Sequence, residues 1–202
     1  MIKNFLFISL ILIFFSGCAA SSANRTVVDN TLHSSRPELN IKVNPDFKYI
    51  EVPEKSGFSQ DADGGERYIA HSEGSYLFVN LKDLRFIKIS FQELPNSRTY
   101  FKAVSFDHIE NRLDLGAEKL GGKDYNYCVF VAKDPSGTCQ MVKILARTPS
   151  PQSRVVILYV ENIYKCENWE TVTLLNESQK NILSNFIDRS KKNIQFTDDR
   201  QE

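Results

Sequence analysis

The sequence lacks an excess of charge of either sign, has little histidine, and contains no apolar run long enough to span a bilayer. Its 25 Lys and Arg balance 25 Asp and Glu. A nucleic-acid binder needs a basic excess to displace counterions, so the balance excludes nucleic acid as a partner. Only three His occur. Neither a Gly-x-Ser-x-Gly nucleophile turn nor a His-Glu-x-x-His metal helix is present, so the familiar hydrolase and zinc signatures are missing. The longest apolar stretch, Phe5–Phe15, has 11 residues, whereas a spanning helix needs about 20. What remains is an ordinary globular composition: 202 residues, 42% apolar, 9 Gly and 7 Pro. That length suits one domain, large enough to fold without a metal or disulfide staple. Nothing in the pattern calls for a cofactor or a metal.

The N-terminus carries an address. Lys3 precedes the apolar run, and the small pair Ser16-Gly17 leads into Cys18. A positive start, a short apolar core and small residues are the marks of a secretory signal. Phe15-Ser16-Gly17-Cys18 resembles the lipobox of bacterial lipoproteins, with Phe15 where that family prefers Leu. The resemblance covers about 20 residues. It implies a diacylglyceryl thioether on Cys18, cleavage before it, and acylation of the new amine. Two or more acyl chains hold a protein on a bilayer, so the implied partner is a membrane, and the implied location is the cell envelope. Ala19 follows the cysteine in place of Asp, which by the sorting rule of these lipoproteins implies the outer membrane in a two-membrane cell.

Composition divides the chain into a signal (1–17), the lipidated Cys18 with a Ser/Asn/Thr-rich tether (18–45), a domain (46–196) and a polar tail (197–202). From Phe47 onward, β-rich runs alternate with Gly, Pro, Asp and Asn clusters. Strands are expected at Phe47–Val52, Tyr68–His71, Ser75–Leu81, Arg85–Leu94, Tyr100–Ile109, Tyr125–Lys133, Thr138–Arg147 and Arg154–Tyr164. Leu77, Val79 and Leu81 alternate on one face, as do Ile87, Ile89 and Phe91. A helix follows, capped by Asn176 with Gln179 three residues on. Its apolar stripe is Ile182, Leu183, Phe186 and Ile187, and Lys191 and Lys192 suit its C-terminal dipole. The expected fold is α+β: an antiparallel meander of about seven to eight strands, with one C-terminal helix packed on it.

Asp134-Pro135-Ser136-Gly137 fits a type I turn. Pairing across it joins residues whose numbers sum to about 271, and pairing across Thr148–Ser153 gives about 302. This register puts Tyr127, Val129, Val131, Val142, Ile144, Ala146, Val156, Leu158 and Val160 on one apolar face, read as core. Phe130, Met141, Lys143, Tyr159 and Glu161 fall on an amphipathic face, read as facing water, a groove or a partial cover.

The same register bears on the cysteines. It separates Cys128 from Cys139 by about four residues, or ~13 Å along the strand, too far for a disulfide. Cys139 would oppose Ile163, near Cys166. Cys139–Cys166 is the preferred pair; no bridge and the other pairings stay open. Cys128 is then a free thiol acting as a small hydrophobe.

Three further clusters carry candidate chemistry. Asp107, His108 and Glu110 form the densest titratable group. On a strand, His108 and Glu110 share a face and offer a weak general-base candidate, against the plainer reading of solvated strand-end polarity. Gly116–Lys123 approaches a phosphate-binding loop, but Gly122 is one residue too many and Asp124 stands where Ser or Thr is needed, so it reads as a Gly-rich turn. Asp61–Glu66 lacks the twelfth-position Glu of a calcium loop. Trp169 reads as a packing anchor at the sheet–helix junction.

The function expected from sequence is a membrane-anchored lipoprotein with a non-enzymatic domain that binds an envelope protein. The alternative is a binder of a small apolar ligand or lipid, because a meander of about eight strands and a helix is loosely similar to lipocalin-like barrels. The Gly-x-Trp of that family is absent.

Overall fold

The computed structural model describes residues 24–53, 55–60, 68–94, 100–109, 111–133, 138–163, 169 and 174–197. The fold is α+β, with two antiparallel sheets and one helix. The smaller sheet has the order β1-β2-β3-β12, from β1 (Arg25–Val28), β2 (Thr31–Ser35), β3 (Glu38–Val43) and β12 (Ile194–Thr197). The larger sheet runs β4-β6-β7-β11-β10-β9-β8. Its strands are β4 (Lys48–Glu51), β6 (Tyr68–Asn80), β7 (Arg85–Glu93), β8 (Arg112–Leu120), β9 (Lys123–Lys133), β10 (Cys139–Ser150) and β11 (Ser153–Ile163). Strand β5 (Lys55–Gln60) lies in line with β4: β5 pairs with the first half of β6 and β4 with the second. Pro53 falls between them, where an edge strand tolerates the loss of an N–H donor.

Four expectations are corrected. The stretch read as a tether (18–45) is structured from Arg25: it supplies β1, β2 and β3, and Leu32, Ile41 and Val43 are fully buried. Its hairpin signal is Asp29-Asn30, both at positive φ (48° and 59°), a pair suited to a two-residue turn. The large sheet is not a single meander: after β7 the chain crosses to the far edge, forms β8, and then folds back through β9, β10 and β11 to meet β7. Tyr100–Ile109, expected as a strand, is that crossing and pairs with no strand. Among the described residues the two edges of the sheet, β4/β5 and β8, are not partners. The polar tail read at 197–202 begins one residue late, since Thr197 ends β12; 198–202 lie outside the described residues.

The register explains a fifth correction. Pairs between β10 and β11 sum to 302, as expected (Cys139 opposite Ile163). Pairs between β9 and β10 sum to 272, one more than expected (Val142 opposite Phe130). The extra residue lies in the 134–138 connection, and Asp134–Gly137 lies outside the described residues. A slip of one residue exchanges the faces of a strand. Tyr127, Val129 and Val131 therefore join Met141, Lys143, Leu145, Ile157 and Tyr159 on the face read as amphipathic, and that face holds the main core. On β6 the core residue is Phe78, fully buried, while Leu77 and Val79 are half-buried and Leu81 sits exposed in the following turn.

The helix, α1 (Glu177–Asn193), closes this inner face. Asn176 caps it through a capping box with Gln179, both bonds at 2.9 Å, and Lys191 and Lys192 occupy its last turn. Leu183 and Phe186 are buried against the sheet, with the Phe186 ring 5.4 Å from that of Tyr159. Burial of each such side chain contributes about 1.5–3 kcal/mol. Ile182, expected in the stripe, is exposed on the helix flank. The helix runs straight into β12, whose Phe196 packs 5.3 Å from Tyr125 of β9. Trp169 is buried in the same core cluster as the strands and the helix.

The second half of the helix meets the sheet through polar side chains. Lys143, 1% exposed, donates to both oxygens of Glu118 (2.8 and 3.0 Å) and to Ser190 Oγ (3.3 Å), and lies 5.2 Å from the centre of the Tyr127 ring. Glu161 takes a forked pair from Arg189 (Nη2 at 2.6 Å, Nε at 2.9 Å) and a hydrogen bond from the Tyr159 hydroxyl, which itself accepts from Asn193 (2.9 Å). Phe186, Arg189, Ser190 and Asn193 follow the i, i+3, i+4, i+7 spacing of one helix face. Each buried charge on this face thus has its partner, as low-dielectric burial requires.

Candidate functional site

The even-numbered residues of β9, β10 and β11 point to the outer face, where Cys128, Phe130, Ile144, Ala146 and Val156 form a second, smaller apolar cluster. The crossing segment lies over it as a strap, contributing Val104, Phe106 and Ile109. A chain running across strands finds no ladder of backbone partners. Side chains serve instead, taking alternate strap carbonyls. Arg154 Nη2 on β11 donates to the carbonyl of Lys102 (3.0 Å), Asn126 Nδ2 on β9 to that of Val104 (3.1 Å), and Arg112 Nη1 on β8 to that of Phe106 (3.4 Å). At its start the strap is pinned by Leu94 N–H to Gln152 O (2.9 Å) and Phe101 N–H to Pro151 O (2.7 Å).

Between strap and sheet runs an open groove of about 550 Å³, within the roughly 300–1,000 Å³ of small-molecule sites. Its floor is Ile144, Ala146 and Val156, its wall Val104 and Phe106, and Arg154, Gln92, Ser105 and His108 supply its polar atoms. The Arg154 guanidinium lies over the Phe101 ring at 4.5 Å. Its Nε is buried and has no hydrogen-bond partner, as is Ser153 Oγ beside it. Burial pushes the Arg154 pKa down, and no carboxylate among the described residues opposes the shift. Tyr100, 55% exposed, lines an adjoining recess on the other side of Phe101, above the β10–β11 turn.

The residues singled out from sequence fall as follows. Asp107 and His108 are exposed in a turn of the strap, and not on a strand, so strand alternation pairs nothing there. Asp107 accepts from Ser105 Oγ (2.6 Å) and Arg112 Nη1 (3.3 Å), and these bonds hold its carboxyl below the usual range. His108 lines the groove. Glu110 lies outside the described residues. Cys139 is buried and disulfide-bonded; Cys166 lies outside the described residues. Cys128 is free and buried beneath the strap, where desolvation pushes its thiol pKa up. Cys18 and Asp61–Glu66 also lie outside the described residues. Gly116–Leu120 is the second half of strand β8; only Gly121-Gly122 form the turn, at φ 53° and 68°. Among the described residues no three His, Cys, Asp or Glu side chains converge on one point, and no helix is long and apolar enough to cross a membrane.

Comparisons with protein-family models, curated proteins and solved structures found no match. The site is therefore argued from its own chemistry. Sequence reading missed Arg154 and the strap. The available signal was Arg154 at the start of an otherwise apolar strand, on the side of Val156, together with Pro95 and a polar run before Tyr100 that interrupt the strand pattern.

The inner face offers a contrast. The space beside Lys143 and Glu118 is about 40 Å³, close to the share of one water in the liquid, about 30 Å³. Tyr159 is pushed up to about 12 by burial and by the Glu161 carboxylate, so it stays protonated and holds the network together. That face is built for docking the helix.

Proposed function

We propose that the chain is a lipid-anchored protein of the cell envelope whose folded domain binds another envelope component, without catalysis, through its strap-covered outer face. Anchoring is supported by the signal-like Met1–Ser22 and by Phe15-Ser16-Gly17-Cys18. The observation that carries the binding role is the asymmetry of the large sheet. Its inner face is sealed by α1 and the smaller sheet with its buried charges paired. Its outer face keeps an open groove with an arginine that no described carboxylate neutralises.

The position of β1 adds an orientation. Arg25 follows Cys18 by seven residues, which span at most about 25 Å when fully extended. A lipid on Cys18 keeps β1, the edge of the smaller sheet, close to the head groups, in place of the long spacer read from composition. The test combines location and contact. Cys18→Ala is expected to move the protein from the membrane fraction to the soluble one. A photoreactive residue at Tyr100 is expected to trap a discrete adduct in intact cells, while one at exposed Ile182 on the helix traps none. Membrane retention of Cys18→Ala, or no adduct from Tyr100, contradicts the reading.

A further inference from the structure

We infer that the strap groove is a site for a carboxylate-bearing amphiphile, a fatty-acid-like chain whose head group is taken by Arg154 and whose tail lies on Ile144, Ala146 and Val156 against Phe106. The inference rests on the outer face being the binding surface, and names what lies in it.

Three observations converge on this chemistry. The floor and wall are aliphatic and aromatic, which suits an alkyl chain and gives no hydrogen bonds to a polar polymer. The one strong polar group is cationic, and it is already fixed in place. Its Nη2 is spent on the Lys102 carbonyl and its plane rests on Phe101, so little rotamer freedom is left to lose on binding. Its Nε–H is buried without an acceptor, so nothing in the fold neutralises the guanidinium from that side and the Nη groups are left to meet a head group. A guanidinium matches a carboxylate with two parallel bonds, and charge-assisted bonds are the strong ones. An alcohol or a neutral ester of the same length fills the apolar part but leaves the cation without its counter-charge. Structural arginines elsewhere in the chain look different: Arg189 and Arg25 each face a glutamate, Glu161 and Glu93, and Arg85, whose Nε is likewise buried without a partner, meets Asp83 and Glu161 through its other nitrogens.

The experiment uses the intact chain in lipid nanodiscs and two photoreactive twelve-carbon probes with a mid-chain diazirine, one an acid and one the corresponding alcohol. Adducts are mapped by peptide mass spectrometry. The acid is expected to label the strap (100–109) and the facing segments of β10 and β11, at least about tenfold more than the alcohol, as a charge-assisted contact implies. Arg154→Gln is expected to bring acid labelling down to the alcohol level while the circular dichroism spectrum is kept. Equal labelling of the strap by both probes overturns the carboxylate assignment and leaves the outer-face reading standing. Adducts found only outside these segments overturn the site itself. If Arg154→Gln does not fold, the acid–alcohol comparison on the unaltered chain still decides.

Discussion

Replacing Glu118 by Gln perturbs the molecule at its most demanding point, the buried lysine. Lys143 is 1% exposed, and Glu118 supplies its two shortest bonds. Breaking a buried ion pair from one side costs about 3–5 kcal/mol, because the remaining charge is left uncompensated. The lysine can escape only by shedding its proton. Holding it neutral at pH 7 costs about 5 kcal/mol, at about 1.4 kcal/mol per pH unit below its ordinary pKa near 10.5. Both routes reach the same range, so a loss of about 3–5 kcal/mol is expected at pH 7.

The pH dependence has a definite sign. Burial already lowers the Lys143 pKa, against the pull of Glu118. Without Glu118 the folded state binds fewer protons than the unfolded one over a wider range below 10.5. Stability therefore rises with pH there, and the deficit of Glu118→Gln against the parent shrinks by up to about 1.4 kcal/mol per pH unit between 7 and 9. Above pH 10 Tyr159 acts the other way: its pKa is raised to about 12 in the fold, so its contribution is lost as pH climbs. The assay is urea unfolding followed by the fluorescence of Trp169, which is buried. The double change Glu118→Gln with Lys143→Met removes the charge, and is expected within about 1 kcal/mol of the parent. A loss below about 1 kcal/mol for Glu118→Gln at pH 7, or a double variant worse than the single one, refutes the reasoning.

Further outcomes follow from the same geometry. Glu73 is partly buried, which opposes its charge, yet hydrogen bonds from Lys88, Ser75 and Ser90 hold its pKa at about 2. Its contribution is present above pH 4.5 and is lost as pH falls toward 2, so Glu73→Gln flattens that part of an acid-unfolding curve. Asn176→Ala removes the bond from the Gln179 N–H to Asn176 Oδ1, keeps the backbone bond to Gln179 Oε1, and costs about 1 kcal/mol by thermal melting. Gly121→Ala destabilises more than Gly122→Ala: both positions have positive φ, but an added Cβ at Gly121 meets Phe196 Cβ at 3.2 Å, while at Gly122 it meets nothing within 4 Å. For the disulfide of Cys139 the proposed partner is Cys166; peptide mapping without reduction is expected to yield that linked pair, and a Cys139–Cys18 peptide contradicts it.

Much of the fold was legible because short-range physics decided it. The β7 alternation of Ile87, Ile89 and Phe91, the Asn176–Gln179 box and the β10–β11 register each depend on a few adjacent residues. The inner and outer faces were exchanged because Lys143 and Glu161 look like solvent-facing residues on a strand. Their partners, Ser190 and Arg189, lie 47 and 28 residues away on the helix, and only the i, i+3, i+4, i+7 row through Phe186 hints at them. Strands β1 to β3 were hidden by polar composition. Leu32 and Ser34 share the buried face of β2, and Leu32 is covered there by core residues distant in sequence. The groove was invisible for a different reason: a strap held by side chains on alternate carbonyls leaves no periodic trace in sequence.

The most direct test of the account is the mass of the N-terminal peptide of the protein extracted from membranes with detergent. The account predicts a chain that begins at Cys18 and carries acyl chains on both its sulfur and its amine. A chain that retains Met1–Gly17, or one that begins elsewhere with an unmodified Cys18, contradicts it.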